Sequence, residues 1–175
     1  MRRTIVGIMG PGEGASAADC ERAYALGEGV AQRGWVLLTG GRPQGVMAAA
    51  NRGARAAGSL TVGILPDGDA DAAAPEVAVA IATDLGNARN NINALSSDAI
   101  VACGMGLGTA SEVALALKAG KPVVLLAAPP EALALFRQLA GERVASTDTP
   151  EAALQQLPAW LAIPDQGTGG RTGGG

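Results

Sequence analysis

The chain has no histidine in 175 residues. That absence excludes Ser–His–Asp and Cys–His nucleophilic catalysis and removes the usual zinc ligand sets. Acid–base chemistry is left to Glu, Asp, Lys, Tyr or bound water. Aromatic residues make up only 2%, so the core has to be built from Val, Leu, Ile and Ala. The stacking platforms that hold single-stranded nucleic acid are scarce for the same reason. Two cysteines, Cys20 and Cys103, are too few for a disulfide framework. No apolar run approaches the length of a membrane span. Positive charge is not in excess either: the net charge is −3, which gives no basic footprint for nucleic acid. The opening residues MRRTIVGIMG lack the long apolar stretch of a leader and read as a first strand. The expectation is a soluble, cytoplasmic protein that binds neither nucleic acid nor membrane.

Apolar residues make up 48% of the chain and glycine occurs 26 times. The glycines punctuate a regular alternation of short apolar runs and helix-like segments. Strands are expected at Thr4–Met9, Trp35–Thr39, Leu60–Leu65, Val77–Thr83, Asp98–Cys103, Val123–Ala127 and Arg143–Ser146. Helices are expected from Ser16 to about Arg33, over Val46–Ala57, over Gly86–Ser97, from Thr109 to Gly120, from Pro129 to about Ala140 and from Thr149 to about Leu161. Strand–helix alternation of this kind specifies an α/β fold, a Rossmann-like parallel sheet of about seven strands with helices on both faces. Residues 1–163 form one domain in this reading, and 164–175, rich in glycine, a flexible tail. Val77–Thr83 is apolar throughout and is expected to be buried. Pro43 suits the first turn of the second helix.

The stretch DAIVACGMGLGTASEVALALKAGKPVVLL, from Asp98 to Leu126, is the centre of the pattern. A strand runs into Gly104, Gly106 and Gly108, and a helix follows. Thr109 stands where an N-cap is expected, with Glu112 three residues on, the spacing of a capping box. A glycine turn of this kind lets backbone N–H groups and the positive end of a helix meet an anion. Similar turns follow other strands at Gly10 and at Gly40-Gly41-Arg42-Pro43-Gln44-Gly45. In a parallel sheet all three turns fall on the carboxyl edge, where ligands bind at the switch in strand order. Arg42 can add a cation there. Arg89, at the carboxyl edge after the fourth strand, can hold a phosphate bidentately, with Asn87, Asn90 and Asn91 beside it as polar contacts. By spacing alone Glu112 reads as a cap, and otherwise as a general acid or base. Asp67, Asp69 and Asp71 resemble the start of a calcium loop, but Ala78 stands where its closing glutamate belongs, so that site is rejected. Cys103, at a strand end, reads as a small buried residue. No metal site is expected.

The combination of GGRPQGVMAAA with ARNNINALSSDAIVACGMGLGTASEVALALKAGKPVVLL resembles the LOG-like (SLOG) Rossmann superfamily, over about residues 4–127. That superfamily includes the LONELY GUY phosphoribohydrolases, often labelled lysine decarboxylases, and the molybdenum-cofactor carrier proteins. The hydrolases carry GGGxxGLMG, an Arg-Lys pair and PGGxGTxxE. By position the first motif falls on Gly40, Gly41, Arg42, Gly45, Val46, Met47 and Ala48. The arginine falls on Arg89 and the lysine on Asn90. The last motif falls on Gly104, Met105, Gly106, Leu107, Gly108 and Thr109, with Glu112 at the glutamate. Asn90 removes a cation, and Met105 puts a side chain where a bare glycine backbone meets the ligand. The Arg-Asn pair and the ending EVALALKAGKPVVLL are more similar to the carrier branch. The resemblance therefore implies binding of a phosphorylated small molecule, with molybdenum cofactor, a pterin phosphate, as the ligand and molybdoenzymes as clients. The alternative it implies is hydrolysis of the N-glycosidic bond of a nucleoside 5′-monophosphate, with Arg89 and Glu112 catalytic. Phosphate binding in either case is expected to involve Gly10, Gly40, Gly41, Arg42, Gly45, Arg89, Asn90, the Gly104–Thr109 turn and Glu112. Alanine-rich helices at 86–97 and 109–119 suit close packing, and with the family habit they imply a homodimer or homotetramer.

Overall fold

The computed structural model describes residues 2–162, so the glycine-rich stretch expected as a tail lies outside the described residues. Seven strands form one all-parallel sheet: β1 (Ile5–Met9), β2 (Val36–Thr39), β3 (Thr61–Leu65), β4 (Val79–Ala82), β5 (Ala99–Cys103), β6 (Val123–Leu126) and β7 (Val144–Thr147). Their order is β4-β3-β2-β1-β5-β6-β7. The order reverses between β1 and β5, which places the switch point there. The α/β class, the parallel sheet and the strand number are as the sequence predicts.

Six helices connect the strands: α1 (Ala17–Gln32), α2 (Gly45–Ala56), α3 (Arg89–Ser96), α4 (Leu107–Lys118), α5 (Pro130–Ala140) and α6 (Pro150–Leu161). Helices α1, α2 and α6 cover one face of the sheet, and α3, α4 and α5 the other. Period-2 alternation divides the strand side chains between the two layers. Val6, Ile8, Leu37, Val101 and Leu126 face the first, with Leu26, Val30 and Leu154. Met9, Leu38, Ile64, Ile100 and Leu125 face the second, with Val113 and Phe136. Each large side chain so buried contributes about 1.5–3 kcal/mol, which is how a core almost without aromatics holds.

Helix starts follow local chemistry. Ser16 caps α1, accepting from Asp19 N at 3.0 Å, while the Asp19 carboxylate accepts from Ser16 N. Thr149 caps α6 through its hydroxyl alone, accepting from Ala152 N at 3.2 Å. Helices α1 and α2 touch backbone to backbone. A Cβ at Gly27 would collide with Ala50 O, and one at Gly53 with Tyr24 O.

Two expectations fail. The run expected as a buried strand is β4, at the sheet edge, where Val79 and Ile81 are each 43% exposed. Its apolar residues pair with β3 on one side only. Pro43 is outside α2, whose N-cap is Gln44.

Candidate functional site

A cleft of about 290 Å³ opens at the carboxyl end of the sheet, beside the β1–β5 switch point. One wall is the β1–α1 loop, Gly10 to Glu13. A second is Gly40 after β2, with Met47 from α2. The third is built by α3 and α4, through Arg89, Asn90, Thr109 and Glu112.

Arg89 is the first residue of α3. Its Nη1 donates to the carbonyl of Ile64, near the end of β3, at 3.0 Å. Its Nε is buried without a partner. The guanidinium presses on Gly40: a Cβ there would overlap Nη1 and lie 2.7 Å from Met47 Sδ. Gly40 is thus glycine because the arginine occupies the space a side chain would need. Burial lowers the Arg89 pKa from its usual value, opposed by the charge of Glu112.

Glu112 is 6% exposed, on the second turn of α4. Its Oε1 accepts from Asn93 Nδ2 at 2.7 Å. Burial raises the pKa of its carboxyl, and the Asn93 hydrogen bond and Arg89 oppose the shift. Asn93 Oδ1 has no partner. Arg89 and Asn93 are four apart and therefore share one face of α3.

The capping box expected at Thr109 and Glu112 does not form. The N-cap of α4 lies three residues earlier, at Gly106, in extended conformation and with no side-chain cap. Thr109 lies inside the first turn, 3% exposed. The backbone N–H groups of the first turn are therefore left to the cleft or to solvent, at the positive end of the helix dipole. Helix α2 differs. Its Val46 N–H already donates to Pro11 O at 3.0 Å, and Gly45 packs on the Gly12 and Pro11 carbonyls. The N-terminus of α4 is thus open to the cleft.

Of the residues expected at the site, Gly10, Gly40, Arg89, Asn90, Gly106, Leu107, Gly108, Thr109 and Glu112 line the cleft, as does Asn87. Gly41, Arg42, Gly45, Gly104 and Met105 do not line it. Gly41, at φ 76°, lies against Gly63. Gly104, at φ 74°, approaches the Asp19 carboxylate. Met105 packs against the α3–α4–α5 side of the core. Arg42 pairs with Asp67 at 2.6 Å. Sequence reasoning missed Glu13 and the Asn93 support, and carried Met47 only as a member of the motif that starts at Gly40. The Arg89–Asn93 spacing was the one available signal for Asn93. Among the described residues no group of three His, Cys, Asp or Glu side chains could hold a metal, and no helix is long and apolar enough to cross a membrane.

Residues 3–154 match the model of the SLOG cluster4 family. The chain belongs to that family. An uncharacterized protein of Archaeoglobus fulgidus is 43% identical over 129 residues, 74% of this chain and 83% of the relative. Two solved structures share the SLOG fold over nearly their whole length. The molybdenum cofactor binding protein of Rippkaea orientalis is 50% identical, with a TM-score of 0.89 over 92% of this chain and 99% of its own. The molybdenum cofactor carrier protein of Chlamydomonas reinhardtii is 47% identical, with a TM-score of 0.88 over 93% of this chain and 100% of its own.

Proposed function

We propose that this SLOG protein binds a phosphorylated pterin of the molybdenum-cofactor type and carries it to molybdoenzymes. The observation behind the reading is the half-buried Arg89 with its buried, unpartnered Nε, beside the open N-terminus of α4 in one cleft. These are donors without acceptors, which suits a phosphate. Arg89 and the first turn of α4 would hold that group. Pro11, Gly12 and Met47 would face the ring system, with the Met47 thioether as an adaptable contact. The metal would arrive as part of the cargo. The names of the two structural relatives, at 47–50% identity, support the same ligand class.

Glu112 favours a second reading. A buried carboxyl with a raised pKa beside an arginine is suited to proton transfer. In a nucleoside 5′-monophosphate phosphoribohydrolase it would assist N-glycosidic cleavage, stabilising a cationic sugar or activating water.

One experiment separates the two. The purified protein is incubated with AMP, and free base is followed by chromatography, with Glu112→Ala as control. Base release that depends on Glu112 makes it a hydrolase. Without release from folded protein, saturable binding of molybdenum cofactor by calorimetry supports the carrier. The absence of both refutes both.

A further inference from the structure

Two carboxylates line the cleft, and they differ. Glu112 is buried and has one oxygen bonded to Asn93. Glu13 is exposed, on the β1–α1 loop between Gly12 and Gly14. Among the described residues Glu13 takes part in none of the ion pairs. A free carboxylate beside an anion site is unfavourable for a ligand that is only a phosphate, because like charges repel. It becomes favourable when the other end of the ligand presents hydrogen-bond donors.

We propose that Glu13 selects the ring of the ligand, accepting from a 2-amino-4-oxo pyrimidine edge of the guanine or pterin kind and disfavouring an adenine edge. This deepens, and rests on, the phosphorylated-ligand reading. A carboxylate only accepts hydrogen bonds. The 2-amino-4-oxo edge offers a ring N–H and an amino group side by side, two parallel donors for its two oxygens. The adenine edge offers one donor and one ring nitrogen lone pair, so one carboxylate oxygen faces an acceptor. The amides of Asn87 and Asn90, also in the cleft, donate and accept alike and do not make this distinction. The loop geometry fits a reader of the ring rather than of the phosphate. Along the chain Pro11 and Gly12 separate Glu13 from β1, and both line the cleft, where Met47 Cε would lie 3.2 Å from a Cβ at Gly12. A planar ring resting on that surface brings its edge to the rim where Glu13 stands.

The test measures affinities of the full chain for GMP, AMP and ribose 5-phosphate by calorimetry, in wild type, Glu13→Gln and Glu13→Ala. Glu13 is exposed on a loop, so neither variant threatens folding. Wild type is expected to bind GMP about tenfold more tightly than AMP, the scale of one bidentate base contact. Glu13→Gln supplies one donor and one acceptor, which matches the adenine edge, so the GMP preference disappears or reverses. Glu13→Ala loses the preference without gaining AMP. Ribose 5-phosphate binds both variants at least as tightly as wild type, since the repulsion from Glu13 is gone. An unchanged GMP-to-AMP ratio in both variants, with ribose 5-phosphate still bound, overturns the role of Glu13 and leaves the phosphate site standing. Failure of wild type to bind any of the three probes overturns both.

Discussion

Gly40→Ala adds one methyl group where the Arg89 guanidinium now lies. The new Cβ would overlap Nη1 and crowd Met47 Sδ. Both atoms belong to the far ends of flexible side chains, so the strain is relieved by moving them and the backbone keeps its place. The displaced arginine gives up its bond to Ile64 O, 3.0 Å in the native protein. A neutral-acceptor hydrogen bond of this kind contributes on the order of 1 kcal/mol, which for a chain of this length lowers Tm by about 2–4 °C. The effect on binding is larger. A phosphate that loses its charge-assisted contact loses about 1.5–3 kcal/mol. At 1.4 kcal/mol per decade, affinity falls about 10- to 150-fold. Arg89→Ala is expected to weaken binding by more than tenfold for the same reason. Because the two substitutions act on one guanidinium, the double variant should bind no more weakly than Arg89→Ala alone. Calorimetry with a phosphorylated ligand, beside thermal unfolding of each variant, reads both effects. Native affinity in folded Gly40→Ala would show that the position of Arg89 does not matter. Native affinity in Arg89→Ala would remove the clamp altogether.

Glu112→Gln keeps the acceptor for Asn93 and removes a charge that burial disfavours. The folded-state pKa of Glu112 is raised, so wild type gains stability below the unfolded pKa and loses it as pH rises through the folded value. The variant is therefore expected to unfold at a higher temperature than wild type at pH 8. Its advantage should vanish below about the ordinary glutamate pKa of 4.3, and a pH-independent difference in calorimetric scans would contradict this. Cys103 is fully buried, and burial, with Asp19 adding to the effect, pushes its thiol up to about 12. At pH 8 iodoacetamide should modify Cys20, which is part-buried, before Cys103, and peptide mapping that finds Cys103 modified first would refute its inertness. A dimer or dimer of dimers is expected, since α3 and α4 expose Leu95 at 54% and Leu107 at 95%. A monomer by light scattering at micromolar concentration would count against it.

Local signals carried the fold further than they carried the site. The helix expected from Ser16 does start there, and the structure closes a capping box between Ser16 and Asp19. Thr109 with Glu112 has the same spacing and does not form one. Gly106 can be extended, so α4 starts earlier, and Asn93 from another helix claims the carboxylate. Spacing along one element cannot report a partner on a different one. The edge position of β4 was hidden for a related reason: an apolar run looks alike in the middle of a sheet and at its border, and strand order is settled by long-range pairing. Arg89 and the glycines of the turns were legible because strand ends of a parallel sheet converge on one edge. Glu13 was not, since it enters the cleft through a turn whose direction the sequence leaves open.

The backbone contact between α1 and α2 has a consequence for ligand entry. Gly27 and Gly53 bring these helices into backbone contact, so the β1–α1 loop and the Gly40 turn share one wall of the cleft. The opposite wall is α3 with α4, tied back to β3 by the bond from Arg89 Nη1 to Ile64 O. A ligand gripped by Glu13 on one side and Arg89 on the other would join the two walls. Its arrival would then be recorded as slower amide exchange in the turn after β2 and the first turn of α3.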